Sequence, residues 1–277
     1  MFIEAIKAII IGIVEGITEW LPISSTGHMI ILDEFLKLKV SEEFLELFLV
    51  VIQLGAIMAV PLLFWGRLWP FSKKKSTEER QGTWQLWAKV IVGAIPAGVI
   101  GFLLDDLLDK YFYNFIVVSV ALIVYGIAFL FIEGKNRESK VKIDDLSLLT
   151  YKDALKIGAF QVLSLIPGTS RSGSTILGGM LSGVSRKVSA EFSFFMAIPI
   201  MLGASGLKIV KFMFSGFDVT GREIVLLLIG MVVSFIVSVV AIRFLMDFVK
   251  KHSFKAFGYY RIALGALVLL FFIIRNS

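Results

Sequence analysis

The sequence predicts an all-α polytopic membrane protein, an inverted-topology repeat with six transmembrane helices and two re-entrant helix-turn-helix regions. The 277 residues are 57% hydrophobic and 18% charged, and their mean hydropathy is +0.85. This is too apolar for an ordinary soluble domain. Six stretches are also long enough to cross a bilayer, which takes roughly 20 apolar residues. Two further apolar regions are interrupted by proline and hydroxyl-rich turns.

The six predicted spans are residues 44–65, 84–104, 114–132, 192–214, 224–246 and 256–274. The interrupted regions cover about residues 2–35 and 152–185, where Pro22 and Pro167 stop the helices. Irregular backbone at membrane depth is tolerated only when protein buries it or when it lines a wet cavity. Both interrupted regions are therefore predicted to be re-entrant.

Charge in the loops predicts the orientation. Lys and Arg are frequent in loops 66–83, 133–153 and 247–255 and sparse in loops 105–113 and 215–223. The positive-inside rule puts the first three loops on the cytoplasmic face and both termini outside. The net charge of +6 is thus explained by membrane orientation, and no nucleic-acid partner is expected. The tips of the two re-entrant regions are expected to meet near the midplane.

An internal repeat supports this layout. Residues 43–44 and 54–56 (EF and LGA) recur at a constant offset as residues 191–192 and 202–204, and Pro22 with Ser24-Ser25 recurs at nearly the same offset as Pro167 with Thr169-Ser170. Residues 1–277 are therefore predicted to form a single membrane domain. Repeat 1 spans about 1–132, repeat 2 about 152–277, and residues 133–151 form a cytoplasmic linker. Inverted repeats with broken helices are known from transporters.

Two polar motifs occupy the interrupted regions. Residues 12–28 read GIVEGITEWLPISSTGH, and Glu15 and Glu19, four residues apart, share one helix face. Residues 167–174 read PGTSRSGS, a turn whose N–H groups, hydroxyls and guanidinium suit an oxyanion. Arg171 needs a counter-charge in an apolar stretch, which favours a functional site. The alternative is a purely structural ion pair between Arg171 and Glu15 or Glu19.

Composition excludes several chemistries. There are no cysteines, which rules out disulfides, thiolate catalysis and cysteine-based metal sites. The only histidines are His28 and His252, so a histidine-rich zinc site is disfavoured.

The segments EGITEWLPISSTGH (15–28) and PGTSRSG (167–173) resemble the two signature motifs of the bacterial undecaprenyl-diphosphate phosphatases, also called bacitracin-resistance proteins. The resemblance implies a multi-pass protein of the bacterial inner membrane that hydrolyses undecaprenyl diphosphate to undecaprenyl phosphate and inorganic phosphate. That reaction recycles the carrier lipid of cell-wall synthesis. The resemblance also implies a divalent cation and an active site open to the outer face.

The resemblance and the chemistry of a diphosphate assign roles to these residues. Glu15 and Glu19 match the acidic pair and are expected to hold Mg²⁺ or Ca²⁺, unless one of them acts as acid or base. Ser25 is the candidate nucleophile, His28 the base or leaving-group acid, and Arg171 the catalytic and substrate-binding cation. The other expected substrate-binding residues are Ser24, Thr26, Gly168, Thr169, Ser170, Ser172 and Gly173. Gln161 falls where a second acidic motif would lie. The sequence leaves open whether Ser25, His28 or water attacks phosphorus.

Two other classes of protein share some of these features. Type 2 phosphatidic acid phosphatases need a second histidine six residues after the arginine, where this chain has Leu177. A lipid flippase or ion-coupled transporter would explain the inverted repeat and the paired carboxylates, but it needs no nucleophile beside a base. The expected partners are a long-chain isoprenyl diphosphate and the bilayer, and a homodimer is one expectation for the assembly.

Overall fold

The computed structural model describes residues 1–112, 114–134, 141–214, 216 and 218–276. The helices in this part of the chain are α1 (Phe2–Thr18), α2 (Ser25–Phe35), α3 (Glu42–Ile57), α4 (Ala59–Leu63), α5 (Trp65–Leu68), α6 (Thr77–Phe112), α7 (Phe115–Gly134), α8 (Tyr151–Val162), α9 (Arg171–Leu181), α10 (Arg186–Phe214), α11 (Gly221–Lys251) and α12 (Lys255–Asn276). Two short 3₁₀ helices, Leu146–Leu148 and Leu163–Leu165, complete them.

The six predicted spans are confirmed. Six segments are long and apolar enough to cross a membrane, namely Glu42–Leu63, Thr77–Leu104, Phe115–Gly134, Arg186–Phe214, Gly221–Lys251 and Lys255–Arg275. Helix α6 continues to Phe112, so the expected loop at 105–113 is largely helical. Charged residues end an apolar stretch without ending a helix, because a helix can continue past the hydrocarbon into water.

Both interrupted regions consist of two helices joined by a turn. Helix α1 ends at Thr18, before Pro22, and Glu19 still has α-helical dihedral angles. Helix α8 ends at Val162 and is followed by a 3₁₀ turn before α9 begins. Pro22 and Pro167 set the last point at which each helix could end. In both regions the helix ends several residues before its proline. The depth of these regions in the membrane stays a prediction.

Contacts between helices occur in corresponding pairs. Helix α1 packs on α11 as α8 packs on α6, and α11 packs on α3 as α6 packs on α10. Helix α7 packs on α12, its counterpart, and α3 packs on α10. This pairing is what two related halves produce. The boundaries of the repeats stay a prediction.

The predicted linker is described only in part. Residues 135–140, with the expected cytoplasmic charges Lys135, Arg137 and Lys140, lie outside the described residues, as do 215 and 217 in the loop predicted to face outward. After this gap Ile143 forms an isolated bridge with Val184, and the amide of Ser185 donates to the carbonyl of Ile143 over 2.8 Å. The end of the linker is thus attached to the loop between α9 and α10.

Candidate active site

The turns before α2 and α9 share one backbone form. Ser24 (φ 74°, ψ 106°) and Ser170 (φ 72°, ψ 120°) adopt positive φ, and they are the non-glycine residues that do so in the described chain. Each serine caps its helix, because Ser24 Oγ accepts from the Gly27 amide at 3.3 Å and Ser170 Oγ from the Gly173 amide at 3.1 Å. Such strained backbone clusters at functional sites and costs about 1–3 kcal/mol per residue.

This shared backbone sets the correspondence between the halves. The backbone angles pair Ser24 with Ser170, whereas the repeated sequence motif, Ser24-Ser25 and Thr169-Ser170, pairs Ser25 with Ser170. Ser25 then corresponds to Arg171. By the same register, Glu15 and Gln161 each lie nine residues before their capping serine.

An ion pair joins the two turns. Nε and Nη2 of Arg171 donate to Oε1 of Glu19 at 3.2 and 3.1 Å, and Nη1 donates to the carbonyl of Ser193 at 2.9 Å. The guanidinium also lies 5.7 Å from the ring centroid of Trp20. The Arg171 and Glu19 side chains are only 11% and 10% exposed. Their attraction is therefore screened much less than that of a surface pair.

The candidate nucleophile lies beside the same carboxylate. The hydroxyl of Ser25 donates to Oε2 of Glu19 at 3.4 Å, so Glu19 contacts both Ser25 and Arg171. His28 has other partners: Nδ1 lies 2.7 Å from the carbonyl oxygen of Ser24, and Nε2 lies 2.7 Å from the hydroxyl of Tyr260. The structure therefore brings Ser25, Glu19 and Arg171 together and directs both nitrogens of His28 elsewhere.

Glu15 and Gln161 are buried without complete hydrogen bonding. Glu15 is 2% exposed and Gln161 is 1% exposed. Oε1 of Glu15 and both side-chain polar atoms of Gln161 have no hydrogen-bond partner among the described residues. Because an unpaired buried polar atom is costly, each position is suited to a ligand that supplies the missing contact.

The acidic pair fits a divalent cation. No group of three or more His, Asp or Glu side chains that could hold a metal is found in the described part of the chain. Glu15 and Glu19 nevertheless offer two neighbouring carboxylates, one with a free oxygen. Mg²⁺ is commonly bound by one or two carboxylates, with water and substrate phosphate completing its shell.

The remaining predicted binding residues shape the turns. Ser172 Oγ donates toward the carbonyls of Glu19 and Leu21, at 3.2 and 3.3 Å, which ties the second turn to the first. Thr169 is buried, and Thr26 is half-buried in the first turn of α2. Gly168 has φ +90°, and a Cβ there would lie 2.6 Å from the carbonyl oxygen of Val118. Only glycine therefore fits at this position.

Helix α12 contributes two residues that sequence reasoning missed. Arg261 is fully buried and donates to the carbonyls of Pro22, Gly168 and Thr169 at 3.2, 2.9 and 3.0 Å, so it bridges both turns. Tyr260, the preceding residue, contacts His28. The available signal was an arginine inside the predicted span 256–274, since an ionisable residue in a span indicates function by default.

An apolar cavity of about 400 Å³ lies beside α2. It is lined mainly by aliphatic and aromatic side chains of α1, α2, α3, α7 and α12. Met29 and Ile30, which follow His28 directly, belong to its wall, and Asp33, Glu34 and Asn114 supply polar groups. The volume lies within the range of roughly 300–1,000 Å³ that small-molecule pockets occupy.

The fold and site define a multi-pass α-helical membrane protein with a buried polar centre between two interrupted helix pairs. The chain belongs to a family described as Bacitracin resistance protein BacA, whose sequence profile matches residues 8–267. It is 57% identical over 269 residues to an undecaprenyl-diphosphatase of Enterococcus faecalis, covering 97% of this chain and 98% of that protein.

Two other relatives carry the same name. The undecaprenyl-diphosphatase of Desulfitobacterium hafniense is 57% identical over 275 residues, covering 99% of this chain and 98% of the relative. That of Acetivibrio thermocellus is 55% identical over 271 residues, covering 98% of each. The similarity thus includes both turns and α12.

Proposed function

We propose that this chain is an integral membrane phosphatase that hydrolyses undecaprenyl diphosphate to undecaprenyl phosphate and inorganic phosphate. The observation that carries the proposal is the contact of Ser25 and Arg171 with one carboxylate, Glu19, across two strained turns. The relatives named undecaprenyl-diphosphatase support the substrate. In a bacterial inner membrane this reaction would recycle carrier lipid for wall synthesis and confer bacitracin resistance.

Arg171 binds the diphosphate in this proposal. Phosphoryl transfer depends mostly on positioning and on neutralising charge at the phosphate oxygens. A planar guanidinium suits phosphate, because it can donate two parallel hydrogen bonds, and in this proposal the diphosphate replaces Glu19 as the acceptor of Nε and Nη2. Helices α2 and α9 both begin at the turns, and the N–H groups of a helix N-terminus attract anions. The predicted residues Ser24, Thr26, Gly168, Thr169, Ser170, Ser172 and Gly173 surround these helix starts.

Ser25 and Glu19 act at the reacting phosphorus. Glu19 accepts the hydroxyl proton of Ser25, and Ser25 Oγ bonds to the terminal phosphorus as the bond from that phosphorus to undecaprenyl phosphate breaks; water then hydrolyses the phosphoserine and releases inorganic phosphate. In the other route Glu19 activates a water in the same position, and this water displaces undecaprenyl phosphate in a single step. Glu15, joined by Glu19 where Glu19 does not act as the base, would hold a divalent cation, which would supply charge neutralisation on the diphosphate. In this proposal the site opens to the outer face, as the family resemblance implies. The apolar cavity beside α2 holds the first isoprene units of the lipid tail.

Phosphate release by the purified protein tests the proposal. The assay contains protein in detergent, undecaprenyl diphosphate and Mg²⁺. The parent chain and Arg80→Ala, which changes an exposed arginine, should release phosphate. Ser25→Ala and Arg171→Ala should each lose activity by about 10²–10³-fold, the usual loss on removing a stabilising group.

A parent chain that releases no phosphate contradicts the proposal. If the same preparation moves the lipid across vesicle membranes, the lipid flippase or transporter becomes the better account.

A further inference from the structure

The surroundings of His28 determine its tautomer. A carbonyl oxygen can only accept a hydrogen bond, so Nδ1, 2.7 Å from the Ser24 oxygen, carries the ring hydrogen. In the neutral imidazole Nε2 is then the acceptor, and the hydroxyl of Tyr260 donates to it over 2.7 Å. The two rings are nearly parallel, at 8°, with centroids 5.6 Å apart.

The two hydrogen bonds of His28 form a continuous series that ends at the strained turn. It runs from Tyr260 through the imidazole to the carbonyl of Ser24, the residue with φ 74°. Ser25 follows directly in sequence and starts α2. Because the Ser25 hydroxyl already donates to Glu19, His28 is not needed to accept its proton. The contacts of His28 instead hold the peptide unit before Ser25.

The other end of this series of hydrogen bonds lies on helix α12, which contacts both turns. Tyr260 precedes Arg261, whose side chain is fully buried and donates to carbonyls of both turns. Helix α12 also packs along α7 and against α2. Tyr260, which is 45% exposed, therefore lies on a helix that is attached to the same turns that its phenol contacts through His28.

We propose that Tyr260 is a positioning residue of the phosphatase reaction. By donating to Nε2, its hydroxyl fixes the tautomer and the rotation of His28, and the imidazole in turn holds the carbonyl of Ser24 so that Ser25 faces Glu19. Tyr260 does not contact the reacting atoms in this scheme. The inference rests on the proposed function.

The kinetic test compares Tyr260→Phe with Tyr259→Phe. Both changes remove one hydroxyl and keep the ring, and Tyr259 is exposed on the same helix. Tyr260→Phe should lower kcat about three- to tenfold, the effect of one neutral hydrogen bond, while KM for the diphosphate stays unchanged. Tyr259→Phe should match the parent in both constants.

The spectroscopic test observes the ring itself. His28 and His252 are the only histidines, and His252 is an exposed loop residue stacked on Phe248. In a His252→Gln background, ¹⁵N-histidine labelling therefore reports His28 alone. The spectrum should show a protonated Nδ1 and an unprotonated Nε2 that accepts a hydrogen bond. Tyr260→Phe should move the Nε2 resonance toward that of a free nitrogen, and Tyr259→Phe should not.

Two outcomes overturn the role of Tyr260. One is a Tyr260→Phe protein whose kcat and Nε2 resonance both equal those of Tyr259→Phe. The other is a fall in kcat with the Nε2 resonance unchanged, because the hydroxyl would then act by another route. A parent chain that releases no phosphate overturns the proposed function instead, which keeps the two failures distinct.

Discussion

The two turns have the same backbone and different chemistry. Ser24 and Ser170 have matching dihedral angles and cap helices of the same length, 11 residues. The first turn carries carboxylates and a hydroxyl, whereas the second carries the guanidinium of Arg171. Neither set would suffice for a diphosphate, which needs both a positive site and an activated nucleophile. The same backbone turn is thus used twice, with side chains of opposite charge.

The largest expected effect concerns the acidic pair, because the corresponding position in the second half is Gln161. Excess EDTA should abolish phosphate release. Glu15→Gln, which makes the halves alike, should raise the Mg²⁺ concentration for half-maximal rate at least about tenfold, the loss seen when even an outer partner of a metal is removed. Glu46→Gln, at an exposed glutamate of α3, should behave like the parent. Full turnover in excess EDTA would exclude the metal role of Glu15 and Glu19.

Gly168 distinguishes the second turn from the first, where Pro22 takes the corresponding place. Gly168→Ala should destabilise the protein by more than the roughly 1–3 kcal/mol that positive φ alone costs, because the new methyl would also clash with Val118. Gly216→Ala is the matched control, since Gly216 has φ +73° with open space around it. Thermal unfolding in detergent measures both. Equal losses would show that the clash is relieved without cost.

The cavity beside α2 should make the KM depend on whether the diphosphate carries an isoprenoid tail. Leu49→Trp adds volume to its wall, and overpacking by about 1–3 kcal/mol corresponds to a KM at least about fivefold higher for undecaprenyl diphosphate. Methyl diphosphate, which has no isoprene unit to place in the cavity, should be affected less. Leu62→Trp, at an exposed position of α4, serves as the control. Equal KM changes for the substrates with and without isoprene units would exclude the cavity as the tail site.

The smallest effect tests the shared backbone directly. Replacing a capping serine by glycine costs only a few tenths of a kcal/mol of capping, and it relieves positive-φ strain of about 1–2 kcal/mol. Ser24→Gly and Ser170→Gly should therefore each stabilise the protein slightly in thermal unfolding. Ser24→Ala and Ser170→Ala should destabilise it by about 1 kcal/mol. Opposite signs for the two glycine variants would contradict the equivalence of the turns.

Much of the fold could be predicted from the sequence, because hydropathy over about 20 residues identifies a span whatever its neighbours are. The spans were accordingly correct, while helix ends such as Thr18 were not predicted, since tertiary contacts decide where a chain leaves a helix. The one-residue shift in the alignment of the two turns was not predicted either. Runs of serine align in more than one way, and only backbone dihedral angles choose Ser170 as the partner of Ser24.

The candidate site was predicted where residues were unusual for their surroundings. Glu19 and Arg171 were found because charges in an apolar stretch need partners. The pairing of Ser25 with Glu19 rather than with His28 depends on side-chain directions, which spacing does not give. Arg261 lies 90 residues beyond Arg171 in the chain. Its contacts with both turns depend on the three-dimensional packing of α12, which the sequence does not give.

The central claim is that side chains of the two turns act as one site, and a double-mutant cycle tests it most directly. Phosphate release is measured for the parent, Ser25→Ala, Arg171→Ala and the double variant. Groups that act as a unit are strongly non-additive, so the double variant should be about as slow as the slower single variant. If the two losses multiply instead, Ser25 and Arg171 act independently, which contradicts a shared site.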